Sequence, residues 1–87
     1  MMPIIEEIEE TTVGDLDGER VPFGNAWDGE YQLADGTPAR GFSGVLFVPS
    51  GPVRVGAGSA VVVGPSTWTV IEVVRRGEHG VVRLRRA

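Results

Sequence analysis

Hydrophobicity in this chain runs with a period of two, and proline or glycine closes nearly every run. Side chains alternate across a strand, so this period sends one row of residues into a core and the next toward water. Phe42 to Val48 is apolar and β-branched, and Pro49-Ser50-Gly51-Pro52 stops it with a turn. Val53 and Val55 then alternate with Arg54, Gly56 to Ser59 form a flexible link, and Ala60-Val61-Val62-Val63 ends at Gly64-Pro65. The densest strand signal is Trp68-Thr69-Val70-Ile71-Glu72-Val73-Val74. Gly77-Glu78-His79-Gly80 reverses it into Val81-Val82-Arg83-Leu84-Arg85, which predicts a C-terminal hairpin. Trp68, Val70, Phe47, Val62, Val82 and Leu84 are expected to share one core.

The N-terminal third is less regular. Ile4, Ile5 and Ile8 have spacing compatible with a helix, whereas Glu9 to Val13 reads as extended; a strand through about Val13 is expected, with a helical turn as the alternative. Asp15 to Gly18 makes a turn into Val21-Pro22-Phe23. Gly24 to Gly41 holds four glycines, one proline and the isolated aromatics Trp27 and Tyr31, a composition that predicts a long loop with one short strand around Tyr31 to Leu33. Such a loop has too few apolar residues to offset its ordering entropy, so it is expected to be mobile in the isolated chain. The fold class expected is all-β: one domain over residues 1–87, a small SH3-like β-barrel with a long inserted loop at about 24–41.

A domain of 87 residues removes only about 60–65% of its unfolded surface from water, which leaves a thin stability margin that a partner would widen. The absence of cysteine excludes a disulfide framework, a thiolate zinc site and a cysteine nucleophile together. Val45-Leu46-Phe47-Val48 is typical of the longest apolar runs, far short of the roughly 20 residues that span a bilayer. The N-terminal stretch is acidic where a signal peptide is basic, so a soluble, unprocessed chain with no membrane partner is expected.

Charge is unevenly distributed around a net value of −4. Up to Asp35 the chain carries Glu6, Glu7, Glu9, Glu10, Asp15, Asp17, Glu19, Asp28, Glu30 and Asp35 against Arg20 alone; from Gly36 onward seven arginines face only Glu72 and Glu78. All the basic residues are arginine. A GC-rich genome accounts for that, yet arginine also forms bidentate carboxylate pairs and suits protein interfaces better than lysine does. The two halves have the charges to pair within one molecule or between neighbours.

No catalytic constellation emerges, and the chain is expected not to be an enzyme. His79 is the sole histidine and lies in a turn, so a triad or multi-histidine metal site would need a second chain. Asp15, Asp17 and Glu19 alternate around Gly18, but counting from Asp15 puts Arg20 and Ala26 where a calcium loop requires its glycine and its final glutamate. These carboxylates read as turn formers. Gly51, Gly56 and Gly58 lack both the spacing and the following lysine of a nucleotide loop. No cofactor, metal or small-molecule substrate is expected. Arg75, Arg76, Arg83, Arg85 and Arg86 fall on the terminal hairpin with Trp68 nearby, which makes a nucleic-acid-binding small barrel the alternative reading; the acidic net charge, and the opposite faces taken by Arg75 and Arg76, weigh against it.

Gly44 to Pro52, Val53-Arg54-Val55-Gly56 through Ser59-Ala60-Val61-Val62-Val63-Gly64, Trp68-Thr69-Val70-Ile71-Glu72-Val73 and Gly80 to Arg86 together resemble the head-to-tail stopper (head completion) proteins of long-tailed phages, particularly those of actinobacterial hosts. That family has a strand ending in a proline-glycine turn, a short "V-x-V-x-G" strand, an aromatic-led "Y-x-V-x-x-V" strand and a last strand ending in basic residues. Asp17-Gly18-Glu19-Arg20-Val21-Pro22 is similar to its early "D-x-x-G-x-x-V-P" turn. The likeness covers about two-thirds of the chain. Trp68 stands where the family has tyrosine, Ser59 where it has an aspartate, and the middle region is short.

The resemblance implies a structural virion protein of the phage neck, made in the host bacterial cytoplasm. Copies of it would form a ring with each other between the portal or adaptor and the tail proteins, with DNA passing through unbound; a minor tail protein is a further alternative. A ring of one repeated subunit needs heterologous contacts between two different faces. Arg75, Arg83 and Arg85, set against Glu6, Glu9, Asp15 and Asp17 of a neighbour, are the expected subunit interface. Arg83 and Arg85 lie two residues apart and so form a stripe on one face of their strand. Trp27, Asp28, Glu30, Tyr31 and Asp35 are expected on a loop facing the channel or a partner, where the acids would repel passing DNA.

Overall fold

The computed structural model describes residues 4–87, and all of its regular structure is β-strand. In chain order the strands are β1 (Ile5–Glu9), β2 (Thr12–Leu16), β3 (Glu19–Gln32), β4 (Pro38–Val48), β5 (Gly51–Val55), β6 (Ala60–Val63), β7 (Ser66–Arg76) and β8 (His79–Arg86). They form two antiparallel sheets, ordered β1-β8-β7-β6 and β2-β3-β4-β5. The first strand pairs with the last, from Ile5 opposite Arg85 to Glu9 opposite Val81. Successive strands pair everywhere except at two corners, between β1 and β2 and between β5 and β6, where the chain crosses from one sheet to the other.

The core lies between the sheets. Ile8, Leu16, Val21, Phe23, Leu46, Val55, Val63, Trp68, Val70, Val82 and Leu84 are its most enclosed members. Trp68, Val70, Val82 and Leu84 are inside as the alternation predicts. Phe47 and Val62 are not: Leu46 and Val48 point inward on β4, as do Val61 and Val63 on β6, so the residue between each pair faces out, Phe47 41% and Val62 61% exposed. In a run of consecutive apolar residues, hydrophobicity does not reveal which alternate set is buried.

Residues expected to form one N-terminal strand form two, in different sheets. Glu10 and Thr11 make the corner, with Thr11 at a φ of 66°. The Glu10 amide donates to Gly80 O on β8 and the Thr11 amide to Phe23 O on β3, each at 2.8 Å, so adjacent peptide groups bond to opposite sheets. The stretch from Gly24 to Gly41, expected as a long loop, is mostly ladder, paired from Trp27 opposite Ser43 to Gln32 opposite Pro38. Only residues 33–37 remain as a loop, closed by the Leu33 amide on Thr37 O at 2.8 Å and the Thr37 amide on Asp35 Oδ1 at 2.9 Å. Bonding to the Thr37 side chain, and then to its amide, holds the Asp35 carboxyl below its ordinary value. The glycines that read as loop leave room for rings: a Cβ on Gly29 would sit 3.3 Å from Trp27 Nε1.

Side chains lock the corners and ends where the ladders do not reach. Glu10 Oε1 accepts the Gly80 amide at 2.9 Å and Oε2 the Ala26 amide at 3.1 Å, so one carboxylate bridges both sheets. At the far end of β2, Asp17 accepts the Ser66 hydroxyl and pairs with Arg86 Nε at 3.2 Å. Between β5 and β6 the buried Ser59 hydroxyl accepts the Gly56 amide at 3.0 Å and donates to Gln32 O at 2.6 Å, while Ser59 O accepts the Val70 amide at 2.8 Å. Each corner thus satisfies backbone groups that strand pairing leaves over.

Two outcomes follow from this packing. Trp68→Ala should cost about 3–5 kcal/mol in denaturant unfolding, because a fully enclosed indole leaves a large cavity, whereas Phe47→Ala should cost much less; equal losses would contradict the core as described. Glu10 is held below its ordinary pKa of 4.5 chiefly by the Gly80 amide and then the Ala26 amide, with His79 and Arg75 adding to the effect. Because its folded pKa is depressed, Glu10 contributes stability that is full above its unfolded pKa and lost as pH falls through the folded one. Glu10→Gln should therefore be less stable than the parent at neutral pH and lose less from about pH 6 to about pH 3. Parallel stability curves for the two proteins would remove this role.

Candidate functional site

The two sheets present unlike outer faces. On the β1-β8-β7-β6 sheet, Arg83 pairs with Glu7 Oε2 at 3.2 Å and with Glu72 Oε2 at 2.9 Å, and Arg76 reaches Glu7 Oε1 at 3.4 Å. A bulge between Val70 and Glu72 makes this network possible. It adds Ile71 to β7, turns Glu72 outward and sets it opposite Arg83. Ion pairs of this kind tile a solvated face and contribute little each.

That network changes the expected subunit interface. The acidic N-terminal strand meets the arginine-rich C-terminal strand inside one molecule, Glu7 lying opposite Arg83 in the β1–β8 ladder. Arg83 is engaged by its own chain and Arg75 stacks over Phe42 at 5.0 Å, while Arg85 is exposed. Asp15 accepts the Gly18 amide at 2.8 Å in the β2–β3 turn, and Asp17 is committed to Ser66 and Arg86. Glu6 and Glu9 remain exposed and without an ion pair among the described residues. The expected set is thus scattered over both ends of the molecule.

The outer face of the β2-β3-β4-β5 sheet carries an exposed apolar row with Arg54 beside it. Val13 lies opposite Pro22 and Phe47 opposite Pro52, which extends an exposed row across the sheet, Val13 being 46% exposed. Trp27 joins this face through the β3 bulge. Simple alternation from Val21 and Phe23 would send Trp27 into the core, but one extra residue lies between Gly24 and Trp27, with Asn25 at a φ of 52°. The bulge turns Ala26 toward the core and leaves Trp27 54% exposed. Arg54 on β5 lies over the indole, its Cζ 4.5 Å from the ring centroid, and its terminal nitrogens donate to Ser43 Oγ at 3.0 Å and Asn25 O at 3.1 Å. No carboxylate among the described residues reaches ion-pair distance of Arg54.

Beside this platform a groove of about 510 Å³ opens between the tip of the β3–β4 hairpin, β5 and the start of β6, with Tyr31, Leu33, Pro52, Arg54 and Ala60 among its walls. Tyr31 lies across Gly56, where a Cβ would come within 2.5 Å of the ring, and its hydroxyl donates to Ala57 O at 3.2 Å. The five residues expected on one channel-facing loop are therefore divided. Trp27 and Tyr31 share the outer face of β3, Asp28 and Glu30 take the other side of the strand with Glu30 pairing to Arg40 at 3.7 Å, and Asp35 sits at the hairpin tip.

Sequence reasoning missed Arg54, Asn25, Ser43, Val13 and Pro22 as parts of a site. The one local signal was Asn25, a residue type that tolerates positive φ, set just before Trp27. Trp68, read as a possible stacking platform for bases, is 1% exposed and cannot serve as one. Among the described residues no three histidine or carboxylate side chains cluster as metal ligands. No protein-family model, curated protein or solved structure matches the chain.

Arg54→Ala should leave the fold intact, because an exposed cation–π contact contributes only about 0.5–1 kcal/mol. It should raise acrylamide quenching of the Trp27 fluorescence while Trp68 stays shielded. Unchanged quenching would show that the guanidinium does not cover the ring.

Proposed function

We propose that this protein is a structural, self-associating component of a phage neck, a head-to-tail connector of the stopper kind, whose copies form a ring between the portal or adaptor and the tail. The observation that carries the reading is the apolar row on the outer face of the β2-β3-β4-β5 sheet, with Val13, Trp27 and Phe47 exposed where a solvated sheet face alternates to polar residues. Contiguous apolar surface of this kind marks a docking site, and a thinly buried small domain gains stability by covering it. The resemblance of the strand-and-turn pattern to stopper proteins supplies the kind of assembly. We read the two sheets as halves of a small SH3-like barrel, a reading supported by the chain's crossing from sheet to sheet at two corners and by the side-chain locks at both.

In such a ring, apolar contacts supply most of the association energy while charges set register and partner. Asp28 on β3 and Asp35 at the hairpin tip are exposed carboxylates that would repel passing DNA rather than hold it. The Trp27–Arg54 stack also fits a second reading, a platform for a nucleic-acid base. The net charge of −4 opposes that reading, and binding that weakens steeply with added salt would be its signature.

Native mass spectrometry of the purified chain at rising concentration, together with the protein content of particles, tests the connector reading. Association of the free chain, its presence in particles, and loss of both in a Phe47→Asp variant whose folding stability changes by no more than about 0.5 kcal/mol are expected. A chain that stays monomeric at every concentration and is absent from particles would remove the reading.

A further inference from the structure

Arg54 is anchored by three groups and has no countercharge among the described residues. Its guanidinium lies over the indole of Trp27, and Ser43 Oγ and Asn25 O each take one hydrogen from its terminal nitrogens. Each of those nitrogens keeps a second N–H, so donors remain for a carboxylate. Among the described residues Arg40, Arg76, Arg83 and Arg86 have carboxylate partners in the chain; Arg20, Arg54, Arg75 and Arg85 do not, and of these four Arg54 is the one whose guanidinium is held by side-chain hydrogen bonds. A cation already held in one orientation loses little freedom on pairing, which is how a receptor for an anion differs from a solvated side chain.

The complementary element is on the same molecule but on another surface. Ile4, just before β1, extends its ladder by accepting the Arg86 amide at 3.0 Å, so Ile4 and Glu6 stand two residues apart on the same side; Ile4 is 46% exposed, and Glu6 is exposed with no ion pair among the described residues. An apolar side chain next to an unpaired carboxylate matches a face that sets Phe47 and Pro52 close to Arg54, two residues farther along β5. Glu7, the neighbouring acid, is already engaged by Arg83 and Arg76.

We propose that Arg54, seated on Trp27, receives the Glu6 carboxylate of a second copy of this chain, with Ile4 of that copy covering the apolar row at Phe47. This rests on the self-association proposed above and names its two surfaces. They differ, so the contact is heterologous: each copy offers its Arg54 face to one neighbour and its β1 end to the other, an arrangement that closes into a ring when the rotation allows.

Sedimentation and native mass spectrometry of four samples test this: the parent chain, Arg54→Glu, Glu6→Arg, and an equal mixture of the two variants, each first shown to unfold at the parent midpoint. Each variant alone should associate about tenfold or more weakly than the parent. The mixture should recover association, because the carboxylate introduced on the β5 face of one variant meets the guanidinium introduced on β1 of the other and the ion pair re-forms with its charges exchanged. Arg54→Lys should recover only part, since an ammonium keeps the charge and loses the planar set of donors. A folded Arg54→Glu chain that associates like the parent, or a mixture that fails to recover, overturns this contact and leaves the connector reading in place. A parent chain that never associates and is absent from particles overturns both.

Discussion

The Glu10 carboxylate stands at the point where three features of the molecule meet. Its two oxygens take an amide from each sheet, Gly80 on β8 and Ala26 on β3, at the corner where the chain leaves one sheet for the other. The Ala26 amide belongs to the β3 bulge, so the same contact that joins the sheets also stabilises the extra residue in that strand. From the bulge follows the outward turn of Trp27, and from Trp27 the seat on which Arg54 lies. A carboxylate accepting two backbone amides satisfies donors that neither ladder serves, and leaving such donors unpaired in a partly buried corner is costly.

Charge acts mainly within the molecule. The acidic N-terminal strand and the basic C-terminal strand pair as neighbours, and the Glu7–Arg83–Glu72 cluster occupies the outside of their sheet. Asp17 ties the β2–β3 turn to Ser66 and Arg86 at the other end. Each exposed pair is weak, and Ile5, Val62 and Ile71 stay exposed on the same sheet as the cluster.

Small residues serve the Trp27 face in a way that composition conceals. Gly29, Gly41 and Gly56 lie under or beside the rings of Trp27 and Tyr31, and a side chain on Gly56 would displace the Tyr31 ring outright. Glycine in a strand weakens pairing in general, but here it admits close approach of an aromatic ring to the backbone. The groove beside Tyr31 exists because the β5 and β6 ladders part at this corner, where Ser59 makes the connection through its hydroxyl instead.

The amino-acid sequence by itself determined the all-β class, the strands from Phe42 onward, the C-terminal hairpin and the burial of Trp68, Val70, Val82 and Leu84, since period-two alternation and breakers are local properties written in adjacent residues. It also carried the charge asymmetry, which the β1–β8 pairing places within one sheet. Tertiary structure decided what depends on counting across a ladder. Phe47 and Val62 sit in unbroken apolar runs whose parity only their partner strands settle, and Trp27 and Glu72 change sides because a bulge adds one residue to β3 and one to β7. The glycine-rich stretch before Gly41 pairs because β4 lies beside it, which composition could not disclose. Arg54, Ser43 and Asn25 come from three strand segments that meet only once the sheet forms, so the candidate site is a consequence of register, and register is set by distant hydrogen bonds and by the core that both sheets share.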